Sequence, residues 1–119
     1  MTDKELLEMA AKAVGNMPCL HMEGMAWQCT EKGLLVHREL IDGCTCDWWN
    51  PLTDDGDALR LAVKLGLTIS IDVGAVNATM VINGSSAVRI VEKHDVSSDC
   101  ATKRAIVRAA AEIGKGLPK

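Results

Sequence analysis

An α+β fold is what the sequence predicts: an antiparallel three-strand meander over 67–92, with short strands from 25–37 as a candidate extension, packed with three helices in an α-β-α sandwich. Three observations lead there. Leu67, Ile69, Ile71 and Val73 alternate with Thr68, Ser70 and Asp72, the period-two signature of a half-buried strand. Three other segments repeat apolar residues every three or four positions, the period of a helix buried on one side. The strand run follows one helix and precedes another, with connections too short for parallel crossovers, so its pairing is antiparallel.

The first helix opens at Thr2 and Glu5, which have capping-box spacing. Leu6, Met9, Ala10, Ala13 and Val14 form its apolar stripe; Gly15 supplies a left-handed terminator and Pro18 blocks continuation. Gly24, Gly33 and Gly43 cut residues 19–50 into short pieces. Residues 25–29 and 34–37 read as strands joined by a turn at Thr30-Glu31-Lys32-Gly33, and 42–47 reads as a loop. A second helix is expected to open at Pro51 and Thr53, with Asp54, Asp55 and Asp57 in its first turn, Leu59, Leu61, Ala62, Val63 and Leu65 along it, and Gly66 at its end. After the strand at 67–73, a second runs from Val76 to Ile82, Asn83-Gly84 marks a two-residue hairpin, and a third spans 87–92. The last helix starts near Ser97, Ser98 or Asp99. Ala101, Ala105, Ile106, Ala109, Ala110 and Ile113 give it a small-residue face for close packing, and Gly114, Gly116 and Pro118 stop it.

Residues 1–119 form a single domain, without repeat, low-complexity tract or linker. Hydrophobic residues at 48% and charged residues at 24% are ordinary for a globular chain, which excludes disorder, collagen-like repeats and coiled coil. A net charge of −3 argues against nucleic acid and anionic membrane as partners. With three Trp and no Tyr or Phe, the chain cannot build a base-stacking platform. The charged start Met1-Thr2-Asp3-Lys4 does not read as a secretory signal, no window approaches the ~18 apolar residues of a membrane helix, and the end carries no lipidation signal. Five cysteines, an odd number without a secretory context, read as reduced thiols in a cytoplasm.

Several segments carry words that resemble a known group. They are Ala-Ala-Lys-Ala-Val-Gly at 10–15, Trp-Asn-Pro-Leu-Thr-Asp-Asp-Gly-Asp-Ala-Leu-Arg-Leu-Ala at 49–62, and Ala-Thr-Lys-Arg-Ala-Ile-Val-Arg-Ala-Ala-Ala-Glu-Ile-Gly at 101–114. In this order around a meander, the chain resembles the small proteins of tailed phages and prophages of the phage α-β-α sandwich type. The resemblance covers most of the chain and implies a helix–sheet–helix sandwich, a phage or prophage origin and work in the cytoplasm of a bacterial host cell. It implies no activity, and the segment 19–46 has no counterpart in it.

Four sets of residues could carry function. Asp47-Trp48-Trp49 places adjacent indoles where one can anchor to the core while the other faces solvent; Trp48, Trp49 and Asp47 are thus the candidate partner-binding residues, since Trp is enriched at interface hot spots. Cys19, His21, Cys29, Cys44 and Cys46, with His37 nearby, have zinc-ligand chemistry but lack the two-to-four-residue knuckle spacing of structural zinc sites. Lys103, Arg104 and Arg108 form a basic stripe, a solvated helix face or an anion contact. Cys100 at a helix start, six residues after His94, is the weakest candidate, a thiol nucleophile. The Asp54, Asp55 and Asp57 cluster is better explained by helix capping than by a cation. Phosphate loops, nucleophile elbows and His-Glu-x-x-His patterns are absent from the sequence, which tilts the reading away from an enzyme.

The expectation is therefore a small non-enzymatic protein without cofactor that binds a host or phage protein and so modulates a host process or defence system. A zinc-stabilised binding module on 19–46 is the alternative, a small hydrolase or transferase a further one. A residual apolar sheet face or edge leaves a homodimer open.

Overall fold

The computed structural model describes residues 2–16, 29–41, 43–72, 74–82, 85–93 and 98–115. Pro18, Gly24, residues 25–28, Val73, the Asn83-Gly84 turn, Ser97, Gly116 and Pro118, each given a role above, lie outside the described residues.

Helix α1 spans Asp3–Ala13, and Thr2 Oγ1 accepts from the Glu5 amide at 3.2 Å, as the capping spacing requires. At its end Asn16 N–H donates to Ala11 O and Gly15 N–H to Lys12 O, with Gly15 at φ 77°. Those two bonds satisfy the orphan carbonyls of the last turn, and only the left-handed residue allows both. Three strands follow: β1 (Cys29–Thr30), β2 (Gly33–Leu40) and β3 (Gly43–Trp49), antiparallel in the order β1-β2-β3. Residues 43–47 are thus strand, where the sequence reads as loop. Their glycine, threonine and cysteines carry no apolar alternation, and pairing with the Leu34–Leu40 stretch imposes the extended form from outside.

Helix α2 runs Asp55–Leu65, starting later than the Pro51 or Thr53 expected, because residues 51–53 form a turn and Asp54 is the cap. The expected meander is present as β4 (Thr68–Asp72), β5 (Ala75–Ile82) and β6 (Ser85–Lys93), antiparallel in the order β4-β5-β6, with a bulge between Met80 and Val81. The strands at 29–40 do not extend this sheet; they pair with β3 in a sheet of their own. Helix α3 spans Ser98–Lys115.

The small residues of α3 decide the layering. Ala101, Ala105 and Ala109 lie against Val76 and Ala78 of β5, with Leu67, Ile69 and Ile90 beside them. The other side of α3, through Ile106, Val107, Ala110 and Ala111, joins a larger core of Leu6, Leu7, Ala10 and Ala11 of α1, Leu34, Val36 and Trp49 of the first sheet, and Ala58, Leu61 and Ala62 of α2. A helix of alanines is thin enough to be buried on two sides at once. Gly114 does not stop α3. It lies inside the helix, where a Cβ would fall 2.8 Å from the Met9 carbonyl carbon, so the α1 backbone rests directly on this glycine. No helix among the described residues is long and apolar enough to cross a membrane.

Candidate functional site

Successive strand residues point to opposite faces, and at the end of β3 this separates the two indoles. Trp49, paired with Leu34, is 5% exposed and belongs to the core; Trp48, paired with Leu35, is 37% exposed. One Trp anchors and the other faces outward, as the adjacent pair predicts, but on a strand rather than a loop. Among the described residues β3 is also the edge strand of its sheet, so Trp48 lies on that edge.

The surroundings of Trp48 are polar and mixed in charge. Lys32 Nζ, from the turn between β1 and β2, lies 5.9 Å from the ring centroid, at the outer limit of a cation–π contact worth ~0.5–1 kcal/mol when exposed. Asp47, itself exposed, accepts from the Trp48 amide at 3.0 Å. A shallow depression then continues past Asn50, Thr53, Asp54 and Asp57 to Arg60.

The floor of this depression is rigid for reasons that run through Asp57. Asp54 Oδ2 accepts from the Asp57 amide at 2.8 Å, the N-cap bond of α2. Asp57 is 7% exposed and accepts at one oxygen from the Asn50 amide (2.9 Å) and at the other from Arg60 (2.8 Å). Asn50 Oδ1 in turn accepts from the Leu52 amide at 3.2 Å, and the Asn50 carbonyl accepts from Thr53 and Asp54. The acidic cluster therefore caps the helix, as expected, but Asp57 also ties the end of β3 to α2. Only Asn50, seven residues upstream, could have hinted at that tie. Gly33 (φ +108°) presses on the same junction, since a Cβ there would meet Asn50 Cβ at 2.5 Å and the Trp49 carbonyl carbon at 2.9 Å.

The other candidates are dispersed. Cys19 and His21 lie outside the described residues, as does the side chain of Cys44. Cys46 is disulfide-bonded, against the expectation of reduced thiols, and a sulfur held in a disulfide is not a thiolate ligand. Cys29 is a free thiol on β1, half-buried against the larger core; burial, opposed by Lys4 and reinforced by Glu8 and Asp3, pushes it above the ordinary thiol value. Among the described residues no three His, Cys, Asp or Glu side chains come together as a metal site. Cys100 is exposed in the first turn of α3, and His94 lies outside the described residues.

All three cations of the α3 stripe meet carboxylates. Lys103 reaches Asp55 of α2 at 2.7 Å, and this hydrogen bond, more than the neighbouring charges, raises the Lys103 pKa. Arg104 reaches Asp3 of α1 at 3.4 Å and Glu92 of β6 at 3.9 Å, and Arg108 pairs with Glu92. The stripe fastens α3 to three other elements.

No family model matches the chain, and no curated protein and no solved structure matches it either.

Proposed function

We propose that this chain is a small non-enzymatic binding module, of phage or prophage origin, that docks on a host or phage protein in the cytoplasm of a bacterial host cell and modulates a host process or defence system. The observation that carries the reading is Trp48: a large ring left at a sheet edge while its neighbour Trp49 is committed to the core. An indole 37% exposed, with Lys32 and Asp47 beside it and a polar depression leading on to Arg60, has the anatomy of an interface anchor, an apolar centre with a polar rim of both signs. The rigid Asn50–Asp57 junction beneath it supports the reading, because a preformed surface loses less conformational entropy on binding. The phage origin rests on the resemblance of the segments at 10–15, 49–62 and 101–114.

The test is capture of bacterial proteins on the immobilised chain, with Trp48→Ala beside the wild type. Hot-spot truncation costs at least ~2 kcal/mol, so retention of the specific partner should fall about thirtyfold. The melting temperature should barely move, since the ring is outside the core. A variant that retains the same proteins in the same amounts refutes the docking role of Trp48.

A further inference from the structure

The β4–β6 sheet ends at β4, whose outer edge has no neighbouring strand among the described residues. Native proteins shield such edges with proline, lysine, bulges or very short strands. Residues 68–72 contain neither proline nor lysine, and the bulge of this sheet lies on the far side, between β5 and β6. Beside the open edge runs a groove of about 350 Å³ between α2, β4 and α3, floored by Ala58, Ala62, Ile69 and Ile106. Its walls carry apolar groups left in water: Leu59 is 64% exposed and Ile71 59%, while Val63, one turn beyond Leu59 on the same α2 face, is 72% exposed. Single exposed apolar residues need no explanation, but three on one flank beside an unshielded edge do.

We propose that this flank is a homodimer interface in which β4 pairs antiparallel with β4 of a second copy, about a two-fold axis at Ser70. The chemistry of β4 selects a second copy over a foreign strand. An isologous contact needs a self-complementary patch, and β4 has one: centred on Ser70, Ile69 falls opposite Ile71 of the partner copy and Ile71 opposite its Ile69. A two-fold perpendicular to the sheet keeps both inner faces on the same side. Leu59 and Val63 of the two α2 helices then approach each other across the axis. The charged groups at the groove, Asp55, Lys103 and Asp99, include an ion pair already closed within one copy, so they set no strong field against self-pairing. The three exposed side chains offer on the order of 300 Å² of apolar surface. The β4 edge and the groove walls add to this toward the ~800 Å² per partner of a standard interface, which is roughly a tenth of the 7224 Å² surface of this chain.

Light scattering on a size-exclusion column and sedimentation over a concentration series test the proposal. The wild type should run at twice the 12.8 kDa chain mass. Ile71→Lys and Val63→Asp, both at exposed positions that the monomer tolerates, should each raise the dimer dissociation constant at least tenfold while circular dichroism stays that of the folded chain. Ser70→Cys should cross-link to dimer under mild oxidation well above the wild-type background, since facing residues of an antiparallel pair lie at disulfide distance. Trp48→Ala should remain dimeric, which separates this surface from the docking site. A wild type that stays at the monomer mass up to about 100 µM, the weak end of specific association, overturns the proposal. So does a dimer that persists unchanged in both folded variants.

Discussion

Replacing Gly114 with alanine reverses the usual effect of that substitution. In an open helix, Gly→Ala stabilises by up to ~1 kcal/mol, because glycine loses the most backbone freedom on folding. At Gly114 the new methyl lies 2.8 Å from the Met9 carbonyl carbon and nearer still to its oxygen. Carbon atoms rest at ~3.5–4.0 Å, so α1 and α3 must part by about 1 Å. Met9 lies within α1 and cannot swing aside without distorting that helix. A gap of that width forfeits a quarter to a half of the contact energy across it. The contacts at stake include those of Leu6 and Leu7, each worth ~1.5–3 kcal/mol when fully buried. The loss is about 1–3 kcal/mol, the range of core overpacking, and the propensity gain leaves a net destabilisation of about 1–2 kcal/mol. For a chain of this length that lowers Tm by roughly 4–8 °C. Gly56→Ala is the internal control. The nearest neighbours of a Cβ there are the Arg60 guanidinium (3.2 Å) and Asp54 Oδ2 (3.3 Å), side-chain atoms that need give by only a few tenths of an ångström, and Tm should rise by about 2–4 °C. Thermal and urea unfolding of the two variants decide the matter. If Gly114→Ala is as stable as wild type or more so, α1 does not rest on α3 at this glycine and the two-sided burial of α3 is wrong.

Trp49→Ala should cost ~3–5 kcal/mol in urea unfolding, against less than ~1 kcal/mol for Trp48→Ala, because only Trp49 leaves a cavity; equal losses would contradict the strand alternation at this site. Asp57→Ala should destabilise by ~1–3 kcal/mol, since it leaves the buried Asn50 amide without its acceptor, and Asp55→Ala by much less. Lys103→Met tests the α2–α3 ion pair: a lysine pKa raised by folding adds stability that is present below the ordinary value of 10.5 and disappears as pH rises through the raised one. The wild-type advantage, under ~1 kcal/mol because Asp55 is exposed, should be flat from pH 7 to 9 and be lost only as pH rises above 10.5. Cys29 should alkylate more slowly than Cys100 at neutral pH and accelerate as pH rises past 9, while Cys46 should react only after reduction; mass mapping of the labelled thiols reads all three.

Much of the fold is legible wherever a local rule and the tertiary structure agree. Thr2 and Gly15 bracket α1, Gly66 closes α2 with φ 65°, and the alternation at 67–82 becomes β4 and β5. The opposite fates of Trp48 and Trp49 follow from adjacency alone, since neighbours in an extended chain point apart. Residues 43–47 were opaque because a strand without apolar alternation is held by its partner, and the partner is remote in sequence information even when near in number.

By itself the sequence determined the three helices, the antiparallel meander and the division of labour between the two indoles, because periodicity, caps and glycine conformation act within a few residues. Tertiary packing alone decided that the strands before α2 form a separate sheet, that α3 is buried on two sides, that Gly114 is a contact rather than a stop, and that Asp57 joins β3 to α2. Each of these depends on which distant surfaces come within a few ångströms of one another, and short-range patterns along a chain carry no record of that distance.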